Sequence, residues 1–233
     1  MENNYRDNEQ EQVNKTLAGE KAKLAQMTFS QKISYIFTYY RIHMLIAVLI
    51  IVVIGWFIHH RMTYIDYKLY GVVINSAQVD ESLEKTMPKL LNMGKHEGFS
   101  LISGLSGDVD ANSTAYYNQI DLYTVSGQMD FAFTDEAGVQ YLCDLGTPLD
   151  VTKELPENLM KLWSNREAVF SQRNENDDTY FDNYAAIDIS GTKLHEFFGL
   201  DDTMCYLVLV DLSGNEEYVQ SFYQLIYDIE MGE

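Results

Sequence analysis

Hydrophobic and polar positions divide the chain into stretches of different period. Between residues 28 and 41, Phe29, Ile33, Ile36, Phe37 and Tyr40 recur at helical spacing and predict one apolar face of an amphipathic helix. Thr28 followed by Gln31 forms a capping-box start for it. Residues 42–58, IHMLIAVLIIVVIGWFI, contain no formally charged side chain and no polar stripe at the 3.6-residue period. As a helix this run rises about 25 Å, slightly less than the roughly 30 Å hydrocarbon core of a bilayer. Tyr39, Tyr40 and Trp56 flank it at the depths where an aromatic ring keeps one edge wet.

Beyond this run, short β-branched and aromatic segments alternate with helical patterns. Strands are predicted over 67–75, 99–103, 129–133, 169–172, 184–189 and 205–211. Asp80 caps a helix with Leu83, Met87, Leu90 and Leu91 on one face, stopping near Gly94. Ser113 or Thr114 opens a second helix with Tyr116, Ile120 and Tyr123 at helical spacing. Thr134 is expected to cap a third, with Asp135 and Glu136 at the positive end of its dipole. Short helices are expected over 156–163 and 194–198. Ser213 with Glu216 forms a capping box for the last helix, which places Val219, Phe222, Ile226 and Ile229 on one side. Strands separated by helices predict the fold class: a single transmembrane helix followed by a three-layer α/β domain with a largely parallel sheet.

Charge changes the picture by separating the two ends. Residues 1–41 carry six basic and five acidic side chains, whereas residues 62–233 carry nine basic and thirty acidic ones, a net of −21. Lys21, Lys23, Lys32 and Arg41 precede the apolar run, and only Arg61 and Lys68 follow it closely. The positive-inside rule then keeps the N-terminus in the cytoplasm and exports the large domain across the cell membrane. The expected organisation is a disordered cytoplasmic tail over 1–27, a juxtamembrane amphipathic helix over 28–41, a transmembrane helix over 42–58 and an extracytoplasmic domain over 63–233. So acidic a domain repels nucleic acid and anionic lipid headgroups, which leaves the bilayer core, a small-molecule ligand or a membrane-protein partner.

Candidate chemistry is sparse. Neither a G-x-S-x-G, a P-loop nor an H-E-x-x-H pattern occurs, and no residue set calls for a cofactor or a metal. Asp108, Asp110 and Asn112 open like a calcium loop, but Ser113 stands where the turn wants Gly and Gln119 where a bidentate Glu is needed. An acidic surface loop accounts for them. Residues 173–183, RNENDDTYFDN, read as a solvated loop between strands. Cys143 and Cys205 both sit in apolar company, as two thiols in core elements or as a disulfide. His59 and His60 read as interfacial side chains.

Residues 127–155, GQMDFAFTDEAGVQYLCDLGTPLDVTKEL, resemble extracytoplasmic solute-binding proteins of the type II periplasmic-binding class. The likeness lies in a G-x-x-D turn into a strand, a following helix, and a small-residue turn into Pro148, Leu149 and Asp150. The stretch YLVLVDLSGNEEYVQSFYQLIYDI is similar to the strand-then-helix ending of that class, and YIFTYYRIH before an anchor resembles small membrane proteins of Gram-positive bacteria. The resemblance implies one lobe of a two-lobed binder, held by a helix in place of a lipid.

In parallel α/β sheets, ligands gather outside the carboxyl ends of strands near helix N-termini. The candidate ligand-binding residues are therefore Asn75 and Ser76 after the first strand, with Thr134 and Asp135 after the third, each also readable as an ordinary cap or turn. The expected function is a membrane-anchored, non-catalytic binding or interaction module. Its alternatives are an accessory membrane subunit docking a transporter or secretion partner, and a cell-surface hydrolase.

Overall fold

A computed structural model describes residues 18–232 except 20, 23, 77–78, 81, 106–113, 175 and 213, and leaves aside the side chains of 36, 39 and 114–118. The expected disorder of 1–17, the loop of Asp108, Asp110 and Asn112, and the cap residues Ser113 and Ser213 lie outside the described residues. The chain forms two units, Met1–Tyr64 and Ile65–Glu233.

In the first unit, residues 18–19, 21–22 and 24–25 are helical. Ala18, Lys21, Ala22, Leu24 and Ala25 are strong helix formers, and their propensity outweighs the polar composition. Helix α1 spans Phe29–Tyr39. Its capping box is half formed, since the Thr28 N–H donates to Gln31 Oε1 at 3.0 Å. Helix α2 spans Arg41–Thr63, reaching past the expected end, and its last turn is closed by the Tyr64 N–H on His60 O at 2.9 Å. No residue of α2 is buried within the protein, and by length and composition it can cross a membrane.

The second unit runs β1 Asp66–Ile74, α3 Ser82–Leu90, β2 Glu97–Leu105, α4 Thr114–Val125, β3 Phe131–Thr134 and α5 Glu136–Leu145. It continues with α6 Val151–Glu154, α7 Glu157–Leu162, β4 Glu167–Arg173, β5 Tyr180–Asp188, α8 Lys193–Phe198, β6 Tyr206–Leu209 and α9 Glu216–Met231. The six strands form one sheet in the order β2-β1-β3-β6-β5-β4. β1 pairs in parallel with β2 and β3, whereas β3–β6, β5–β6 and β4–β5 are antiparallel. The sheet is thus mixed. The parallel expectation holds for its first half and fails for its second, where only 174–179 of the expected 173–183 loop form the turn of a hairpin, Arg173 and 180–183 pair within β4 and β5, and β6 returns against β3. In that turn the Asn176 N–H bonds Asn174 Oδ1 at 3.0 Å and the Thr179 N–H bonds Asp177 Oδ1 at 3.1 Å, so Asn174 and Asp177 are spent on local backbone, while Asp178 accepts from the Arg173 guanidinium.

Period-two alternation sorts the strand side chains to two faces. Leu69, Val73, Phe131, Phe133, Leu207 and Leu209 pack with α3 and α6–α9. Val72, Ile74, Ala132, Val208 and Val210 pack with Ile120 of α4 and Val139 and Leu142 of α5. Both faces are covered, giving three layers. Phe131 lies at the centre, its ring 4.4 Å from Phe222 of α9, 5.4 Å from Phe133 and 6.2 Å from Phe99 of β2. Gly71 makes room for it, since a Cβ there would stand 2.7 Å from Phe131 Cζ.

Candidate functional site

The carboxyl ends of β1 and β3 lie side by side because the two strands are parallel, with Val73 opposite Phe133. Asn75 turns the chain at φ 68°, a left-handed backbone that Asn tolerates better than most residues. Its backbone N–H donates to Leu105 O at 2.6 Å, and Ser76 O accepts from Gly104 N–H at 2.9 Å, which pins the end of β1 to β2. Its side chain crosses to β3, where Nδ2 donates to Asp135 Oδ1 at 2.8 Å.

Asp135, and not Thr134, is the N-cap of α5: its Oδ1 also accepts the Gly138 N–H at 2.9 Å. Thr134 is still in the strand, paired with Tyr206, so its side chain is committed to the sheet. Its Oγ1 is buried without a hydrogen bond among the described residues. Helix α5 ends in a Schellman motif, with Gly146 at φ 81°, its N–H on Cys143 O, and the Thr147 N–H on Leu142 O. With the Asp135 carboxylate already seated on its first turn, α5 does not offer its N-terminus to an anion.

Two residues that the sequence reading missed complete the cluster. Ser76 Oγ donates to Asp201 Oδ2 at 2.7 Å, and the His195 ring places Nε2 3.1 Å from Asp201 O, so that nitrogen carries the proton. Helix α8 brings them there: Thr192 caps it, accepting from His195 N–H at 3.2 Å, and Gly199 at φ 62° closes it. Ser76 therefore donates to a carboxylate and His195 to a carbonyl, which is not the nucleophile-to-imidazole contact of acyl transfer. Asn75, Ser76, Thr134 and Asp135 are thus brought together, and the first two are each bonded to a carboxylate.

Of the four, Asp135 alone lines a broad groove of about 1,030 Å³ that runs from the start of α5 across β4, β5 and the approach to β6. Glu136 and Asp188 are its other carboxylates, and Phe170 and Tyr206 meet edge to face at 5.7 Å along its wall. Cys205 is on the rim, and its Sγ donates to Asp202 O at 3.2 Å. Burial, with Asp188, Asp202 and Asp135 adding to it, pushes this thiol's pKa up, so it stays protonated and is a poor nucleophile. Burial, then Asp144, pushes Cys143 up to about 12. Both cysteines are free thiols, Cys143 buried and Cys205 half-buried, so the disulfide alternative is not realised. Acidic walls with an aromatic surface suit a cationic or polyhydroxyl ligand better than an anionic one. Comparison of the chain with protein-family models, curated proteins and solved structures finds no match.

Proposed function

We propose that this chain is a membrane-anchored binding module, in which α2 crosses the bilayer and the acidic α/β domain is displayed outside to hold a solute or a partner without catalysis. The observation that carries this reading is α2 itself, a 23-residue helix that buries none of its side chains within the protein and carries no Asp, Glu, Lys or Arg over 42–60. Lys21, Lys23, Lys32 and Arg41 on its amino side favour a cytoplasmic N-terminus. The turn–strand–helix–turn order of 127–155, now β3 and α5 between Gly127 and Asp150, keeps the solute-binding-like reading, with the groove beside Asp135 as its receptor surface.

Protease applied to intact cells is expected to digest the α/β domain and spare an N-terminal epitope tag; the reverse pattern would overturn the topology. Thermal-shift measurements on the full chain in detergent, with sugars, amino acids and peptides, are expected to reveal a stabilising ligand.

A second reading is favoured by α1. Phe29, Ile33 and Phe37 share one face and are 80%, 43% and 60% exposed. On this reading the chain is an accessory subunit that docks a transporter or secretion partner through α1 and α2. Co-purification in mild detergent separates the two, since a self-sufficient binder emerges alone.

A further inference from the structure

Helix α1 exposes Phe29, Ile33 and Phe37 along one face, while Gln31, Ser34 and Thr38 occupy the opposite one. At about 100° per residue the three apolar side chains cover roughly 80° of the circumference, and Lys32 stands near one border of that arc. The helix is interrupted at Tyr40, with φ −104° and ψ 15°, so α1 is not bound to continue along the axis of α2. Length decides where it can go. The 23 residues of α2 rise about 35 Å and already exceed the roughly 30 Å hydrocarbon core. An in-line α1 would stand in water with its aromatic face bare. Lying along the bilayer surface, it places that face at the acyl boundary and keeps Gln31, Ser34 and Thr38 wet. Charge then says which lipids it meets. The chain carries 35 Asp and Glu in 233 residues, yet none falls over 21–65. Over 42–60 the apolar core of the bilayer accounts for that gap. Over 21–41 it does not, because polar positions are plentiful there and are filled by Gln, Ser, Thr and four basic residues, Lys21, Lys23, Lys32 and Arg41. This segment attracts anionic headgroups in a chain that otherwise repels them.

We propose that α1 is an interfacial helix that binds anionic phospholipids in the leaflet on the N-terminal side of α2. Phe29, Ile33 and Phe37 sit among the upper acyl carbons, and Lys21, Lys32 and Arg41 reach the headgroup phosphates. A long basic side chain suits that border, since its aliphatic stem lies along apolar surface while its charged end stays in the headgroup layer. Lys32 is half-buried and Arg41 is exposed, at the start of α2 where the two helices meet. The proposal rests on the reading in which α2 crosses the bilayer. It assigns the exposed face of α1 to lipid, which removes the support that face lends to docking of a transporter or secretion partner.

Tryptophan quenching in the full chain tests it, after reconstitution into vesicles of equal parts phosphatidylcholine and phosphatidylglycerol with the acyl chains of one lipid or the other brominated. In the parent, Trp56 reports on α2, and Trp163, buried in the α/β domain, gives a constant background. A Phe29→Trp, Trp56→Phe chain moves the reporter to α1, at a position exposed enough to accept the larger ring. Quenching at position 29 is expected with both lipids, about threefold stronger with brominated phosphatidylglycerol, since one basic residue near an anionic surface is worth about fivefold. Adding Lys21→Gln and Lys32→Gln is expected to at least halve that preference while leaving the reporter quenched. If position 29 escapes both lipids while Trp56 of the parent is quenched, the proposal is overturned and α1 returns to the protein-docking reading. Equal quenching by the two lipids overturns it as well, as does a preference unchanged by the two lysine substitutions. If Trp56 itself escapes both lipids, the anchor reading fails and carries the proposal with it.

Discussion

Asp130 enters β3 with its side chain turned to the backbone of β1: the Tyr70 N–H donates to its Oδ2 at 2.6 Å, while its own N–H donates to Tyr70 O at 2.9 Å. Burial pushes its pKa up to about 7, Asp211 adds to the rise, and the Tyr70 N–H opposes it. An acid whose folded value lies above its unfolded one holds a proton that the unfolded chain has released. Its contribution to stability is therefore largest below the ordinary Asp range near 4 and falls as pH rises toward 7, by about 4 kcal/mol at most. Asp130→Asn keeps an acceptor for Tyr70 and removes the charge. It is expected to be more stable than the parent at pH 8 by about 2–4 kcal/mol, with the gap closing near pH 4, as read by urea unfolding at both pH values. Gly138 is a steric counterpart. A Cβ there would stand 1.9 Å from Thr134 Oγ1 and 3.3 Å from Ile74 Cγ2, both buried in the sheet. Gly138→Ala is expected to cost about 1–3 kcal/mol in thermal unfolding, more than the small gain Ala usually brings inside a helix.

At the scale of elements, β3 is held by rings. Phe131 touches β2 through Phe99 and α9 through Phe222, and Phe133 reaches α8 through Phe198 at 4.7 Å. Phe131→Ala empties a site with 0% exposure and is expected to cost about 3–5 kcal/mol, measured as a drop in the denaturant midpoint with an unchanged slope. All six strands were legible in the sequence because β-branched and aromatic runs such as YKLYGVVIN have few other stable fates. Strand partners were not legible. Nothing local in YLVL says that β6 inserts beside β3 in the opposite sense, and a helix between two strands reads as a parallel crossover even where α8 leads into an antiparallel return. Helix α6 escaped because four residues are too few to show a period. Thr134 and Asp135 are both good caps, and only the pairing of Thr134 with Tyr206 decides between them. In the last helix the start falls to Asn215, which makes no side-chain capping bond. The candidate site was legible where it depends on parallel β1 and β3. Asp201 and His195 were hidden because Ser76 meets Asp201 across 125 residues of chain.

For the whole molecule, two units of opposite character share one chain: an exposed apolar helix with its amphipathic lead, and a three-layer domain rich in carboxylates. Excess negative charge keeps such a domain soluble and costs it some self-repulsion, so moderate salt should stabilise it. Two further grips steady the mixed sheet. Gln172 Nε2 donates to Gly146 O at 2.8 Å and to Pro148 O at 3.0 Å, tying the loop after α5 to β4. Tyr218 donates to Glu97 at 2.5 Å, joining α9 to the opposite edge strand, β2; the contact lowers the Glu97 pKa and pushes the Tyr218 phenol up to about 12.

The strand made last, β6, occupies the middle of the sheet between β3 and β5. While a ribosome is still short of residue 206, the polypeptide can assemble only a parallel trio and a separate hairpin, each with one raw margin. Neither can close on the other, because the ribbon that joins them has not yet been synthesised. A body built this way completes its sheet only when its final stretch arrives.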